Sequence, residues 1–179
     1  MPVNPSQDVP VVHAVEMRHA TPADFEAICA LKLAEEKHTS AMDLARLTFL
    51  AALSCHHKVA SVAGVVSAFL LAMGSEAPYE NENFGWFSRR YARFLYVDRI
   101  VVAAAARPHL LGSQLYADLF AQARSAGYPW VACEYDIIPP NEPSRRFHDR
   151  LGFTEHCTQW VADGAKKVSL QAAPASSVA

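Results

Sequence analysis

Apolar and polar positions change period several times along the chain, and each change marks an element. Residues 13–18 suit a strand, and Thr21-Pro22-Ala23-Asp24 predicts a helix start, with Thr21 as N-cap and Pro22 at the first helical position. Phe25, Ile28, Leu31 and Leu33 then make an apolar face. A second helix is predicted over about 43–53, with Leu44, Leu47, Leu50 and Ala51 on one side. Residues 59–62 and 65–73 read as two strands around a tight turn at Gly64. Residues 94–102, rich in β-branched and aromatic side chains, predict a central strand. A linker over 103–108 leads to a helix over about 111–126, with Leu115, Leu119, Phe120 and Ala123 inward and Gly127 ending it. Residues 130–135 predict a strand, Pro139 and Pro140 a break, and 143–151 a short helix stopped by Gly152. Closing strands are expected over 153–161 and 166–170. The order β-α-α-β-β-β-α-β-α-β-β is that of an α/β (α+β) domain.

Length and charge narrow the picture. With 179 residues the chain is expected to form one domain over 13–171, between a flexible arm (1–12, three prolines) and a flexible small-residue tail (172–179). Sixteen Lys and Arg against eighteen Asp and Glu give a net charge of −2, which argues against bulk-charge binding to nucleic acid or an anionic membrane. Cys29, Cys55, Cys133 and Cys157 lie too far apart for a zinc ribbon and show no disulfide framework. The apolar stretch 59–74 is broken by Ser61, Gly64 and Ser67 and is too short for a membrane span. The start has no basic and apolar leader pattern, so a cytoplasmic location is expected.

Residues 83–96 concentrate aromatics and arginines. One reading is a short helix with Phe87 and Tyr91 inward. A second is a substrate-facing lid that includes Trp86. A third, a nucleic-acid surface, sits badly with the net charge.

Two stretches carry chemistry. The loop Arg107-Pro108-His109-Leu110-Leu111-Gly112-Ser113 enters a helix, where unpaired backbone N–H groups and the positive dipole end favour a diphosphate. Arg107 adds charge, while Gly112 and Ser113 let backbone approach closely. Downstream stands Asn141-Glu-Pro-Ser-Arg-Arg-Phe-His-Asp-Arg-Leu-Gly-Phe153. Together these resemble the GNAT superfamily of acyl-CoA-dependent N-acetyltransferases, whose loop reads Gln/Arg-x-x-Gly-x-Gly/Ala and whose later helix reads Asn-x-x-Ala-x-x-x-Tyr-x-x-x-Gly-Phe. Arg107, Gly112, Asn141, Gly152 and Phe153 match in register, and Ser144 stands where Ala is usual. Leu110 replaces the first motif glycine and His148 the tyrosine often assigned as general acid.

The resemblance implies a mixed, mostly antiparallel sheet with splayed middle strands and helices on both sides. It implies acetyl-CoA as cosubstrate, held by the loop 107–113, by the backbone of Ile100, Val101 and Val102, and by Asn141, Ser144 and Phe147. Leu110 is expected to donate its backbone N–H to the phosphates where its backbone angles allow it, and His109 is a candidate phosphate donor with solvent exposure as its plain alternative. No metal is expected, the acceptor is a small-molecule or peptide amine, and a homodimer is allowed.

N-acetyl transfer needs a neutral amine and therefore a base, direct or through water. Glu134, on the strand before Asn141, is one candidate, with a buried hydrogen-bond acceptor as its plain alternative. Asp98 is the other, by strand parity with Tyr96, Ile100 and Val102, and its alternative is an ion pair with Arg99. His148, four residues after Ser144 and seven after Asn141, is expected to face the cofactor and to titrate near its ordinary pKa of about 6.5. Tyr96, Trp86 and Arg99 are candidate substrate contacts. His56 and His57 beside Cys55 read as a loop turn at a helix end rather than a metal site, and Cys133 as a small buried strand residue rather than a nucleophile. The expected function is direct acetyl transfer to an amine. The alternative is a non-catalytic acyl-CoA-binding or regulatory module.

Overall fold

The computed structural model describes residues 14–35 and 42–177. The predicted arm 1–12 lies outside the described residues. The elements run β1 (Val15–His19), α1 (Phe25–Ala34), α2 (Leu44–Leu53), β2 (His56–Val62), β3 (Val65–Gly74), α3 (Glu82–Ser88), β4 (Leu95–Val102), α4 (Leu111–Ala126), β5 (Trp130–Ile138), α5 (Glu142–Arg150), β6 (Thr154–Val161) and β7 (Lys166–Pro174). One seven-stranded sheet has the order β1-β2-β3-β4-β5-β7-β6. Every neighbouring pair is antiparallel except β4 with β5.

Alternation along the strands divides the apolar side chains between two layers. On one face Phe69, Leu71, Phe94 and Tyr96 pack with Phe25 and Ile28 of α1, Leu47 and Leu50 of α2, and Phe84 and Phe87 of α3. On the other, Leu70, Leu95, Val97 and Val131 pack with Leu111, Leu115, Leu119, Phe120 and Ala123 of α4. Each fully buried Leu or Phe of this kind contributes about 1.5–3 kcal/mol. Gly127 closes α4 at φ 75°, a conformation glycine adopts freely.

Several expectations change in the folded chain. Leu33 and Leu44 are exposed, because each lies on the outer side of a helix that covers only one face of the sheet. His56 and His57 are not a turn: they open β2 and are buried. β7 continues past Leu170 to Pro174, since Ala172 and Ala173 pair with Ala132 and Val131 of β5. Phe84 and Phe87 of α3 pack inward and Tyr91 just beyond it is half-buried, as the plain reading of 83–96 has it. Arg90 stacks on Trp86 and donates to its carbonyl, and Arg93 lies over Tyr128 and donates to Ala126 O.

Candidate active site

The parallel pair at the centre of the sheet is held only at Leu95↔Val131 and Tyr96↔Ala132. From Val97 onward β4 has no strand on its β5 side, and from Cys133 onward β5 has none on its β4 side. Between them opens a cavity of about 680 Å³, walled by Asp98, Arg99 and Ile100 of β4, Cys133 to Asp136 of β5, and Ser144 and His148 of α5. Tyr79, Asn81 and Asn83 close it from the β3–α3 side, and Val161, Ala162 and Lys166 from the β6–β7 turn.

A bulge in β4 sets which side chains face it. Leu71 pairs with Arg99 but Ala72 with Val97, so Asp98 is the extra residue. An extra residue reverses side-chain parity, so Tyr96 and Val101 share one face while Ile100 and Val102 pack on the α4 face. The expected common parity of Asp98 with Tyr96, Ile100 and Val102 is therefore wrong, because simple alternation stops at the bulge. Val101, named for cofactor contact, is buried against the opposite core layer from Val102.

Glu134 is a cavity carboxyl strongly altered by its surroundings. Tyr96, fully buried and 2.6 Å away, donates its hydroxyl to Glu134 Oε2. Burial raises the Glu134 carboxyl to about 7, assisted by the nearby Asp98 and Asp136, and outweighs the Tyr96 and Asn83 contacts that favour the charged form. Tyr96 itself is held well above the usual tyrosine range by its burial and by Glu134, so it remains a donor.

Asp98 is committed elsewhere. Tyr79 Oη donates to its Oδ1 and Arg99 Nε to its Oδ2 at 2.6 Å. The ion-pair alternative for Asp98 is thus the arrangement the fold builds. Cys133 is buried, and its thiol is pushed up by that burial, the condition of an unreactive packing residue.

His148 does face the cavity, but both ring nitrogens are occupied. Nδ1 donates to Ser144 O at 2.8 Å, which leaves Nε2 to accept from Tyr116 Oη at 2.8 Å. Its ring stacks on Tyr135 at 5.8 Å and meets Tyr116, Phe147 and Phe153 edge-on. Burial lowers its pKa to about 4, so it is neutral across the physiological range rather than titrating near 6.5. The helical spacing placed Ser144 and His148 correctly. It could not show that the neighbours on α4 and β5 would seal the ring.

The chain before α4 forms a short 3-10 helix, Ala104–His109, and Leu110 joins it to α4. Leu110 takes the left-handed conformation (φ 54°, ψ 30°) with its side chain exposed, and no side chain caps the helix. Its N–H donates to Arg107 O, so it is not the phosphate donor expected of it. Gln114 N bonds Leu110 O, and the N–H groups of Leu111, Gly112 and Ser113 stand at the open end of α4. A Cβ on Gly112 would lie 3.2 Å from Phe147 Cζ and 3.5 Å from Val102 Cγ2, so glycine lets α4, α5 and β4 meet. Arg107 is exposed and pairs with Glu35 at 3.7 Å, and Pro108 and His109 lie on the rim beside it. Asn141 caps α5 by accepting from Ser144 N at 3.2 Å.

Trp86 does not join these groups. It is buried against Phe87 and Arg90, away from the cavity walls, so its place as a substrate contact is withdrawn: α3 turns it into the packing. Tyr79, Asn81, Lys166 and the β6–β7 turn were not named from the sequence, because nothing in their local spacing marks them. Among the described residues no group of His, Cys, Asp and Glu could hold a metal ion, and no helix is long and apolar enough to cross a membrane.

A sheet whose central parallel strands part over a half-buried glutamate, beside an open helix end, is the frame of an acyl-CoA-dependent transferase. Residues 35–153 match the acetyltransferase (GNAT) family, and the chain belongs to that family. The fold is shared with Ard1 from Thermoplasma volcanium (TM-score 0.71, 19% identity, covering 90% of this chain and 97% of that one). It is shared also with the ribosomal-protein-S18-alanine N-acetyltransferase from Escherichia coli (0.65, 15%, 91% and 95%). A third is yncA from Salmonella typhimurium, solved with its cofactor acetyl-CoA (0.67, 22%, 90% and 94%). No curated protein matches the chain in sequence.

Proposed function

We propose that the protein transfers an acetyl group from acetyl-CoA to the nitrogen of an amine, with Glu134 as general base. The observation that carries this reading is the Glu134 carboxyl, raised to about 7 on the wall of the cavity and hydrogen-bonded by Tyr96. A carboxylate with that pKa takes a proton from an ammonium far better than an ordinary one near 4.5 and is still largely ionised above neutrality. A passive acyl-CoA-binding module has no need of a raised carboxyl there.

The residues present fit acetyl-CoA. The N–H groups of Leu111, Gly112 and Ser113 can receive a diphosphate, and Arg107 beside them adds charge. The free edges of β4 and β5 offer backbone donors and acceptors to an amide-bearing arm running between them. Acetyl-CoA, when bound, supplies an activated acetyl thioester. Tyr96 orients the Glu134 carboxylate, and Glu134 accepts the amine proton, directly or through water. Neutral His148, its ring fixed by Ser144 and Tyr116, serves as a wall of the cavity.

The test joins calorimetry with acetyl-CoA to a CoA-release assay over an amine library. Glu134→Gln is expected to bind acetyl-CoA like the wild type and to lose turnover. Equal turnover in the two proteins would overturn the base assignment. Acetyl-CoA binding without turnover on any amine would favour the binding module.

A further inference from the structure

The cavity contains one cation whose hydrogen-bonding capacity is not used. The Arg99 side chain is only 6% exposed, and Nε is spent on Asp98. Nη1 is buried and has no hydrogen-bond partner. A guanidinium cannot lose its proton to escape that situation, so the unmet N–H groups carry a continuing desolvation cost. Arg99 nevertheless lines the cavity, and its orientation is fixed: Asp98 holds Nε, and Tyr79 holds the other oxygen of Asp98. A guanidinium pinned by Asp98, on a residue that lines the cavity and with a donor unmet, is preorganised for an oxygen ligand.

The groups around Arg99 are mostly committed to one another. Lys166 is paired with Asp136 at 3.1 Å, and Asp98 is paired with Arg99. Arg46, exposed at the rim, lies over Phe49. By formal charge the lining sets Arg46, Arg99 and Lys166 against Glu80, Glu82, Asp98, Glu134 and Asp136, so the unmet donor on Arg99, not the net charge, marks the ligand. The remaining acidic groups of the cavity are Glu134 on the wall and Glu80 and Glu82, both exposed at its edge. The cavity therefore offers a base for an amine and a separate buried fork for an anion.

We infer that the acceptor is an amine that also bears a carboxylate, an amino acid in the broad sense, with the Arg99 guanidinium receiving the carboxylate while the amine faces Glu134. This rests on the acetyltransferase reading and narrows its acceptor. Arg99 is then a specificity-determining residue. An acceptor that lacks the carboxylate leaves the fork unmet in the complex, a loss that discriminates much more strongly than a missing methylene group.

The experiment uses the full chain and measures CoA release with L-amino acids, their C-terminal amides, the corresponding decarboxylated amines, and a series of ω-amino acids. Acetyl-CoA affinity is measured separately by calorimetry. The expected result is turnover of at least one carboxylate-bearing amine, with kcat/KM falling by about 100-fold or more in its amide and decarboxylated forms. Arg99→Met is expected to keep acetyl-CoA affinity, to raise KM for the carboxylate-bearing amine, and to reduce that discrimination to a few-fold. Should Arg99→Met fail to fold, Arg99→Lys retains the charge without the planar fork and is expected to lose most of the discrimination. Equal turnover of acid and amide, or discrimination that survives in the Arg99 variant that folds, overturns the inference. So does turnover confined to amines without a carboxylate, or none on the panel while acetyl-CoA binds. Absence of acetyl-CoA binding instead overturns the acetyltransferase reading on which it rests.

Discussion

Tyr96 Oη stands 2.6 Å from Glu134 Oε2, across two strands that pair for only two residues at that level. The tyrosine stays protonated in its setting and the glutamate ionises late, so the pair is a fixed donor behind a carboxyl that titrates near neutrality. In the wild type, kcat/KM is expected to rise with pH through a limb centred near 7. Glu134→Gln is expected to lower kcat/KM by about 10²–10⁴-fold with acetyl-CoA affinity unchanged.

Tyr96→Phe removes the hydrogen bond that favours the charged carboxyl. The base limb is then expected to move upward by about one pH unit. The pH–rate profile of the variant, with the same amine as the wild type, measures it. An unmoved limb would mean that Tyr96 only packs.

The raised Glu134 pKa also affects stability. The group ionises near 4.5 in the unfolded chain and near 7 in the folded one. Its protonated form therefore supports the fold fully below pH 4.5, and that support is lost as pH rises through 7. Glu134→Gln keeps a neutral group throughout, so its thermal stability relative to wild type is expected to grow between pH 4.5 and 8. The limit of the gain is about 3 kcal/mol. Parallel melting curves would refute it.

His148 gives the opposite sign. Its folded pKa of about 4 lies below the ordinary 6.5, so the neutral ring supports the fold above pH 6.5. That support is lost as pH falls from 6.5 through 4. His56 and His57, also lowered to about 4 by burial, add to the same slope. Melting temperature is expected to drop between pH 6.5 and 4, less steeply in His148→Gln. His148→Ala is expected to cost about 2–4 kcal/mol, since it opens a cavity and removes the ring nitrogen that accepts from the Tyr116 hydroxyl.

At the helix entrance two substitutions separate binding from strain. Gly112→Trp would collide with Phe147 and Val102 and fill the open end of α4, so acetyl-CoA binding is expected to disappear in calorimetry. Leu110→Gly relieves a left-handed conformation that costs a branched residue about 1–2 kcal/mol. It is expected to raise the melting temperature while binding is retained.

Local pattern carried much of this protein. The β-branched and aromatic run of β4, the 3.6-residue period of α4 with its Gly127 stop, and the Asn141 to Phe153 segment each state their own conformation, because neighbouring residues alone decide it. Glu134 was legible for the same reason: it is a carboxylate on a strand, next to a helix whose pattern resembles a known family. What the tertiary structure alone decided are relations across the chain. The bulge at Asp98 reversed the parity of β4, and pairing with β3, not the β4 sequence, placed it there. Tyr79 came to Asp98, Tyr116 came to His148, and Arg99 was left with a free nitrogen, because packing brings together residues far apart in sequence and fixes their ring and fork orientations. Burial of that kind lowers the pKa of His148 and raises that of Glu134. It is a property of the assembled layers, not of any segment within them.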